Sequence, residues 1–465
     1  MIRVALITLR ADWRLWVGPL IVTSSTGALI SLVATYWVSM GTAQASGVLA
    51  SLGRTLDEVR STSYVLYIVI ALSVAVVLSS NTVVTIRAQR HTLATLRLAG
   101  ARPRQIHRSM ILQVLVVALI GSTVGFLLAL PFAQSTTDVL VRMSTRSDAQ
   151  ITATANVVVF LATVLCTLVV CWVAALRPAR IASKSPAVAA VRAEPEATRR
   201  MGVARWVGFG FATVTFLMVL IGAVASVFYV TSLSEAFAAG SSNAITLGLA
   251  LIAMTGFIAP ALLPLLIRTW TGAVPGGASP SWYLARQSAL HRFALSSTTI
   301  VPLLIGFSLF GVIFGSVATW SAALDLSELS EPLNTLDTYV ILTPVALITG
   351  IGSITNLFMT GRGRERELAL VRTAGATPST IRRQVAWEAL IYVVTAMIVA
   401  LVVTALTVLV QSVTFALSGG PFAPRIDLLQ LAILVPIAYI AMLIVVAIPA
   451  RSASHRDLRS ILSPA

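Results

Sequence analysis

The feature that most constrains this chain is a series of long apolar segments separated by short polar connections. A helix that crosses a bilayer needs about 20 apolar residues, and ten segments meet this length. They span residues 15–40, 62–85, 109–132, 153–176, 205–231, 244–268, 296–320, 338–360, 385–413 and 429–450. Of the 465 residues, 57% are hydrophobic and only 11% are charged, which excludes a soluble domain and a disordered chain. We therefore predict an all-α integral membrane protein with about ten transmembrane helices.

The positively charged residues alternate from one connection to the next. Of the 33 Lys and Arg residues, 28 lie in one set of connections, which comprises residues 1–14, 86–108, 177–205, 268–295, 361–384 and 451–465. We call the membrane face on which this set lies the basic side. The positive-inside rule makes the basic side cytoplasmic and places both termini there, so the number of spans is even. A count of eight stays open if two segments are re-entrant.

Residues 87–108 and 362–383 are two copies of one segment. They read RAQRHTLATLRLAGARPRQIHR and RGRERELALVRTAGATPSTIRR, and at an offset of 275 they are identical at 10 of 22 positions. Each copy lies between two spans on the basic side. The repeat predicts a first four-helix module at 1–195 and a second at 282–465, joined by a two-helix connector at 196–281.

The residue pattern of the repeated segment predicts a short helix on the membrane surface. In the first copy, Leu93 and Leu96 lie three apart and begin an apolar stripe, as in an amphipathic helix. Gly100 should end this helix, because glycine suits the left-handed position that follows a helix. Pro103 should start the next helix, because proline fits a first helical turn. The alternative is an ordinary basic loop with no partner.

The two segments resemble those of FtsX-like (MacB-type) permeases of ATP-binding cassette transporters, whose motif reads R-x-x-E-[IL]-[GA]-[IL]-L-R-[AT]-[LA]-G-A. The second copy matches this motif at Arg364, Glu367, Leu368, Ala369, Leu370, Arg372, Gly375 and Ala376. The first copy departs from the family at Thr92, where the motif has Glu, and Gln113 stands opposite Glu388. The ten-span layout is similar to that of bacitracin-type export permeases. Their large extracellular domain is replaced here by the 17 residues 321–337.

This resemblance implies a permease subunit that works with a separate cytoplasmic ATPase. The expected partner is an ATPase homodimer, two subunits to one permease, which would carry the ATP and Mg²⁺. The coupling residues would be Arg90, Arg97, Gly100, Arg104, Glu367, Arg372, Gly375 and Arg382. Gly121 and Gly125 form a GxxxG pattern that predicts close helix packing.

The sequence contains no motif for catalysis by the chain itself. It has no GxxxxGK[ST] phosphate loop and no metal-binding spacing of Cys and His. The basic residues lie between apolar spans. We therefore expect no enzymatic activity, no directly bound cofactor and no nucleic-acid partner.

The nearly uncharged spans favour an apolar or amphiphilic substrate, such as a lipid, a drug or an antimicrobial peptide. Export of such a substrate from a bacterial plasma membrane would confer multidrug or peptide resistance. The candidate substrate or gating residues are Glu388 near the basic side and Asp325, Glu328 and Glu331 on the opposite side. The main alternative is an ATPase-coupled sensor that signals to a kinase or a cell-wall hydrolase without bulk transport. A membrane enzyme is a further alternative.

Overall fold

Helices are the regular secondary structure in the residues that the computed structural model describes, which are 2–51, 55–145, 149–184, 203–229, 232–274, 279–291, 293–327, 335–362, 372–373 and 375–455. We number the helices in chain order. The first eight are α1 Ile2–Ala11, α2 Trp13–Ala45, α3 Val48–Ser51, α4 Leu56–Ala88, α5 Arg90–Leu98, α6 Pro103–Ala129, α7 Ala133–Thr145 and α8 Val157–Lys184. The next seven are α9 Val203–Ser226, α10 Leu233–Gly272, α11 Pro280–His291, α12 Phe293–Leu326, α13 Thr335–Arg362, α14 Pro378–Leu417 and α15 Leu428–His455.

Each predicted span corresponds to one long helix. Nine spans within the described residues are long and apolar enough to cross a membrane. The tenth candidate is α15, whose described apolar part is Leu431–Ile444. The prediction of an all-α integral membrane protein is confirmed. The helices α10 and α14 have 40 residues each, or about 60 Å, so they extend beyond a hydrocarbon core of about 30 Å.

The first compact unit comprises Met1–Pro195 and Tyr339–Met359. Within it, α2 packs against α4, α6 and α8, and α4 also packs against α8. These helices bury one large apolar core, whose members include Tyr36, Met40, Leu66, Ile70, Val114, Leu140 and, from α13, Ile348. This unit therefore takes in part of a helix that the repeat assigns to the second module. The predicted ranges 1–195, 196–281 and 282–465 describe a duplication in the sequence and not these compact units. They stay a prediction.

The local geometry where α13 packs against α4 reflects the repeat. A Cβ atom on Gly352 of α13 would lie 2.0 Å from a Cγ atom of Val77 on α4, and these two residues are related by the offset of 275. Beside them, Asn356 Nδ2 donates to Ser80 Oγ at 2.9 Å. Contact between two equivalent residues indicates that α4 and α13 cross near a local twofold axis.

The second compact unit comprises Glu196–Thr338 and Thr360–Ala465. Here α14 packs against α10, α11, α12 and α15, and α10 also packs against α9 and α12. The two predicted connector helices, α9 and α10, are thus part of the packing of this unit.

Buried polar side chains join the connector helix α10 to α14. Gln411 Nε2 on α14 donates to Ser241 Oγ on α10 and to the carbonyl of Ser316 on α12, both at 3.1 Å. Trp270 Nε1 on α10 donates to Thr395 Oγ1 on α14 at 3.0 Å. Because lipid offers no hydrogen bonds, such polar groups in a span are satisfied by neighbouring helices. They hold α10 in one register against α14.

Candidate functional site

The first copy of the repeated segment forms the short helix α5 that its pattern predicts. Leu93 is buried against residues from three other helices, including Ile86 of α4, Met110 of α6 and Ala182 of α8. These contacts bring together the ends of α4, α6 and α8 that belong to the basic side. The amphipathic helix therefore lies across the ends of three spans, fixed by its apolar stripe.

The turn after α5 has the geometry of a Schellman C-cap. Gly100 has φ of 91°, a left-handed value that glycine adopts at low cost. The N–H of Ala101 donates to the carbonyl of Leu96 at 3.0 Å, which closes the end of the helix. Pro103 then occupies the first turn of α6. The predicted sequence of a short helix, a turn and a long helix is confirmed for the first copy.

Polar contacts at two places hold α5 and the residue before it to their neighbours. The Arg97 guanidinium donates to the backbone carbonyl of Ser183 at the end of α8. Thr92 Oγ1 and Gln89 Nε2 each lie 3.5 Å from one carboxylate oxygen of Asp12, in the connection between α1 and α2. Arg97, which we expected to face a partner, therefore has a bond within the chain. A Glu in place of Thr92, as in the family motif, would put a second carboxylate beside Asp12.

The outer face of α5 carries a leucine that sequence reasoning missed. Leu98 is 73% exposed, although it stands in a helix whose other leucines are buried or half-buried. It lies off the predicted stripe of Leu93 and Leu96, and this position is the signal that could have identified it. An exposed leucine beside a basic turn is suited to binding another protein.

The second copy of the segment is described only at its carboxyl end. Arg372 is half-buried, and Gly375 has φ of 93°, nearly the value of Gly100. Arg382 is exposed on the first turns of α14. Glu367 lies outside the described residues. For Arg90 in the first copy, the structure describes the helical backbone but not the side chain.

Gly121 and Gly125 lie where α6 approaches α2 most closely. A Cβ atom on Gly125 would lie 2.2 Å from the backbone oxygen of Ser24 and 2.6 Å from the backbone nitrogen of Ala28. A Cβ atom on Gly121 would lie 2.1 Å from Thr23 Oγ1. The absence of side chains at these two positions allows the two backbones to come into contact.

Glu388 is buried on α14, with 2% of its surface exposed. Its carboxylate accepts a hydrogen bond from the Tyr392 hydroxyl, which also lies 2.8 Å from Ser296 Oγ on α12. At the equivalent position of the first copy, Gln113 Nε2 donates to Thr8 Oγ1 of α1 at 2.6 Å. Gln113 thus connects a third span directly to the segment before a first span, whereas Glu388 is connected to the start of a first span through Tyr392.

The acidic residues predicted on the opposite side are only partly described. Asp325 is exposed in the last turn of α12, whereas Glu328 and Glu331 lie outside the described residues. In the part of the chain that the structure describes, no group of three or more His, Cys, Asp or Glu side chains could hold a metal ion.

Comparison with known families gives one result, which coincides with the repeat. The family model described as FtsX-like permease C-terminal matches the chain twice, over residues 64–184 and over residues 339–458. Together these matches cover just over half of the chain. Each match contains one copy of the repeated segment and the span on either side of it. No curated protein matches the sequence.

Proposed function

The chain belongs to the FtsX-like permease family, and from this premise we propose that it is the membrane subunit of an ATP-binding cassette transporter. A separate cytoplasmic ATPase homodimer would bind the two repeated segments. Closure of that dimer on ATP and Mg²⁺ would move the segments and, with them, the spans that follow. The permease itself would bind no nucleotide and catalyse no reaction.

The observation that carries this proposal is the way α5 is connected to α6. The residues 99–102 that join the two helices form a tight, hydrogen-bonded turn, so α5 cannot move without moving the start of α6. On its inner face α5 is held by Leu93 and by the bond from Arg97 to Ser183. On its outer face Leu98 is free to contact a partner. A helix with this arrangement is suited to transmit motion from a bound protein to a span.

The orientation and the substrate follow from the distribution of charge. The basic side carries 28 of the 33 Lys and Arg residues, which supports a cytoplasmic location for both termini in a bacterial plasma membrane. The three spans Leu15–Gln44, Leu66–Ile86 and Leu342–Met359 contain no Asp, Glu, Lys or Arg. An apolar or amphiphilic substrate, taken from the bilayer and exported, fits such a surface. A lipid, a drug and an antimicrobial peptide are all candidates, because each has the apolar surface that these uncharged spans favour.

The first test is to identify the ATPase and measure its stimulation. A tagged permease is purified from native membranes, and the proteins that accompany it are identified by mass spectrometry. The ATPase is then assayed with reconstituted permease. We expect Leu98→Asp to reduce the stimulation at least fivefold, because a charge would enter an apolar contact. The double variant Arg372→Ala with Gly375→Ala tests the second copy in the same assay, and it should also reduce stimulation.

Leu326→Asp is the matched control. Leu326 is also an exposed leucine at a helix end, with 65% of its surface accessible, but it belongs to the side opposite the basic side. It should leave the stimulation unchanged. Full stimulation by both the Leu98 variant and the Arg372 with Gly375 variant would contradict the coupling proposal. If a kinase or a cell-wall hydrolase is purified with the permease and no transport is detected, the sensor alternative is supported instead.

A further inference from the structure

A crevice of about 320 Å³ opens in the first unit where α6 begins and α8 ends. Four of its lining residues occupy one face of the first turns of α6, and the other two are three apart at the end of α8. They are Pro103, Arg104, His107, Arg108, Arg180 and Ser183. The crevice thus concentrates positive charge at the basic-side ends of two spans.

The crevice contains several cationic side chains. Among the described residues, the structure assigns no carboxylate partner to Arg104, Arg108 or Arg180, and all three side chains are exposed. His107 Nδ1 is buried and has no hydrogen-bond partner there. Three guanidinium groups provide many N–H donors, and guanidinium geometry matches the oxygens of a phosphate. The crevice is therefore suited to an anion.

The helix terminus that faces the crevice is capped in a different way from its counterpart in the second copy. Gln105 Oε1 accepts from the backbone N–H of Arg102 at 2.8 Å, but the Arg102 side chain makes no cap to an N–H of α6. In the second copy, Thr377 Oγ1 accepts from the N–H of Thr380 at 3.3 Å and so caps α14. The dipole of a helix favours an anion at its N-terminus, so the α6 terminus adds to the attraction of the arginines.

We propose that this crevice binds a phosphate group, and that the group belongs to the headgroup of an anionic phospholipid in the leaflet on the basic side. The lining residues lie at the ends of the spans Pro103–Thr145 and Val157–Arg180, which is the depth of lipid headgroups. The volume accommodates a headgroup but not a helix of a partner protein.

Occupancy of the site would stabilise the position of α5. The carbonyl of Ser183, a lining residue, accepts the hydrogen bond from Arg97 of α5. A phosphate held by Arg104 and Arg108 on α6 and by Arg180 on α8 would bridge two of the three helices on which α5 rests. The lipid would then keep the segment in the position that a partner recognises. Lipid binding itself does not depend on the ATPase.

The second copy supplies a matched comparison. At the offset of 275, the positions of Arg104, His107 and Arg108 are occupied by Ser379, Arg382 and Arg383. The second copy thus also has two guanidinium groups at these positions, but Ser379 stands in place of Arg104 and Thr377 caps the helix terminus. We expect the specific site in the first copy only.

The experiment measures lipid retained by the full-length protein without any ATPase. Three proteins are solubilised: wild type, a control, and a triple variant that combines Arg104→Gln, Arg108→Gln and Arg180→Gln. The lipid bound to each protein is counted by native mass spectrometry. The control is Arg10→Gln, Arg268→Gln and Arg383→Gln, which removes the same charge from three other exposed arginines. The probes are dioleoyl phosphatidylglycerol and dioleoyl phosphatidylcholine. We expect the triple variant to lose phosphatidylglycerol retention by about tenfold or more, since basic side chains near the membrane surface attract anionic lipid. The control should stay within about twofold of wild type on the same scale.

Further arms separate the source of the phosphate. Inorganic phosphate and glycerol 1-phosphate are added as competitors, at concentrations that leave the melting temperature of the protein unchanged. Phosphatidylglycerol should stay bound at these concentrations. Displacement of the lipid by either competitor would overturn the lipid assignment in favour of a soluble phosphate. Equal retention by wild type and the triple variant would overturn the site. If the triple variant retains phosphatidylglycerol as wild type does but no longer binds the ATPase, the lipid proposal is overturned and the crevice binds an acidic protein surface. If the triple variant fails to fold, Arg104→Gln alone should lower retention severalfold.

Discussion

The two copies of the repeat achieve close helix packing in different ways. In the first copy both spans carry glycines at the contact: Gly125 of α6 lies against the backbone of α2, and Gly27 of α2 lies against the backbone of Ser122 on α6. In the second copy the glycines at this contact are on the first span, where Gly311 and Gly315 of α12 lie against Thr404 and Val408 of α14. The fold therefore requires contact between the first and third spans of each copy, but it does not specify which helix carries the small residues.

The two copies also differ in the shape of the third span. In the first copy the helical run Pro103–Thr145 contains a 3-10 turn, Leu130–Phe132, at Pro131. In the second copy α14 continues without a break for 40 residues. Proline removes a backbone donor and disturbs a continuous α-helix. We therefore expect the third span of the first copy to bend more easily at this turn than α14 does.

The largest expected effect comes from filling the glycine contact of the first copy. Gly125→Ala places a Cβ atom 2.2 Å from a backbone oxygen of Ser24, which cannot rotate away, so α6 must shift from α2. We expect the free energy of unfolding to fall by about 3 kcal/mol. The measurement is a denaturant titration of the purified protein in detergent, followed by circular dichroism.

Two other glycines complete this test. Gly311→Ala meets Thr404 Oγ1, a side-chain atom that can rotate, so its cost should be about 1 kcal/mol. Gly222→Ala is the control, because nothing lies within 4 Å of the added atom. Equal losses for Gly125→Ala and Gly311→Ala would remove the distinction between the two packings.

The second prediction exchanges the buried polar residues at the matched positions. Gln113→Glu replaces the amide that donates to Thr8 with a carboxylate, and we expect a loss of about 2 kcal/mol because a charge is buried with one fewer donor. Glu388→Gln keeps an acceptor for the Tyr392 hydroxyl and should cost about 1 kcal/mol. Both are measured by the same titration. If Glu388→Gln proves the more costly, the carboxylate has a stronger role in the second copy than its hydrogen bond to Tyr392 indicates.

The third prediction concerns the local twofold crossing of α4 and α13. Asn356 donates to Ser80, whereas both amide atoms of the matched Asn81 are buried without a hydrogen-bond partner among the described residues. Asn356→Ala should therefore lower the free energy of unfolding by about 0.6 kcal/mol more than Asn81→Ala. The two substitutions remove the same atoms, so each serves as the control for the other. An equal loss would mean that Asn81 has a partner in the membrane.

The smallest expected effect is the restoration of the family residue in the first copy. Thr92→Glu places a carboxylate beside Asp12 and should destabilise the protein by about 0.5 kcal/mol through like-charge repulsion. Asp12→Asn in the same chain should remove most of that loss. Apparent melting temperatures of the two single variants and the double variant measure the coupling. No recovery in the double variant would show that Asp12 does not determine the residue at position 92.

Much of the fold could be predicted because its signals are local. Hydrophobic length identified the spans, since every backbone polar group in lipid must be satisfied within its own helix. Gly100 and Pro103 marked the end of one helix and the start of the next, because their backbone preferences act within a single turn. The repeat itself was visible as ten identities at one offset. The GxxxG spacing predicted a close contact, although it did not identify α2 as the partner of α6.

Tertiary structure decided which residues meet within each unit. The exposure of Leu98, the bond from Arg97 to the carbonyl of Ser183 and the crevice around Arg180 all depend on segments that lie about 80 residues apart in the chain. The packing of α13 within the first unit also follows no local pattern. In lipid, apolar side chains gain no hydrophobic free energy by facing one another, so helix partners are selected by shape and by hydrogen bonds. These properties arise only when two surfaces come together, and for that reason the sequence determined the helices while the packing determined the site.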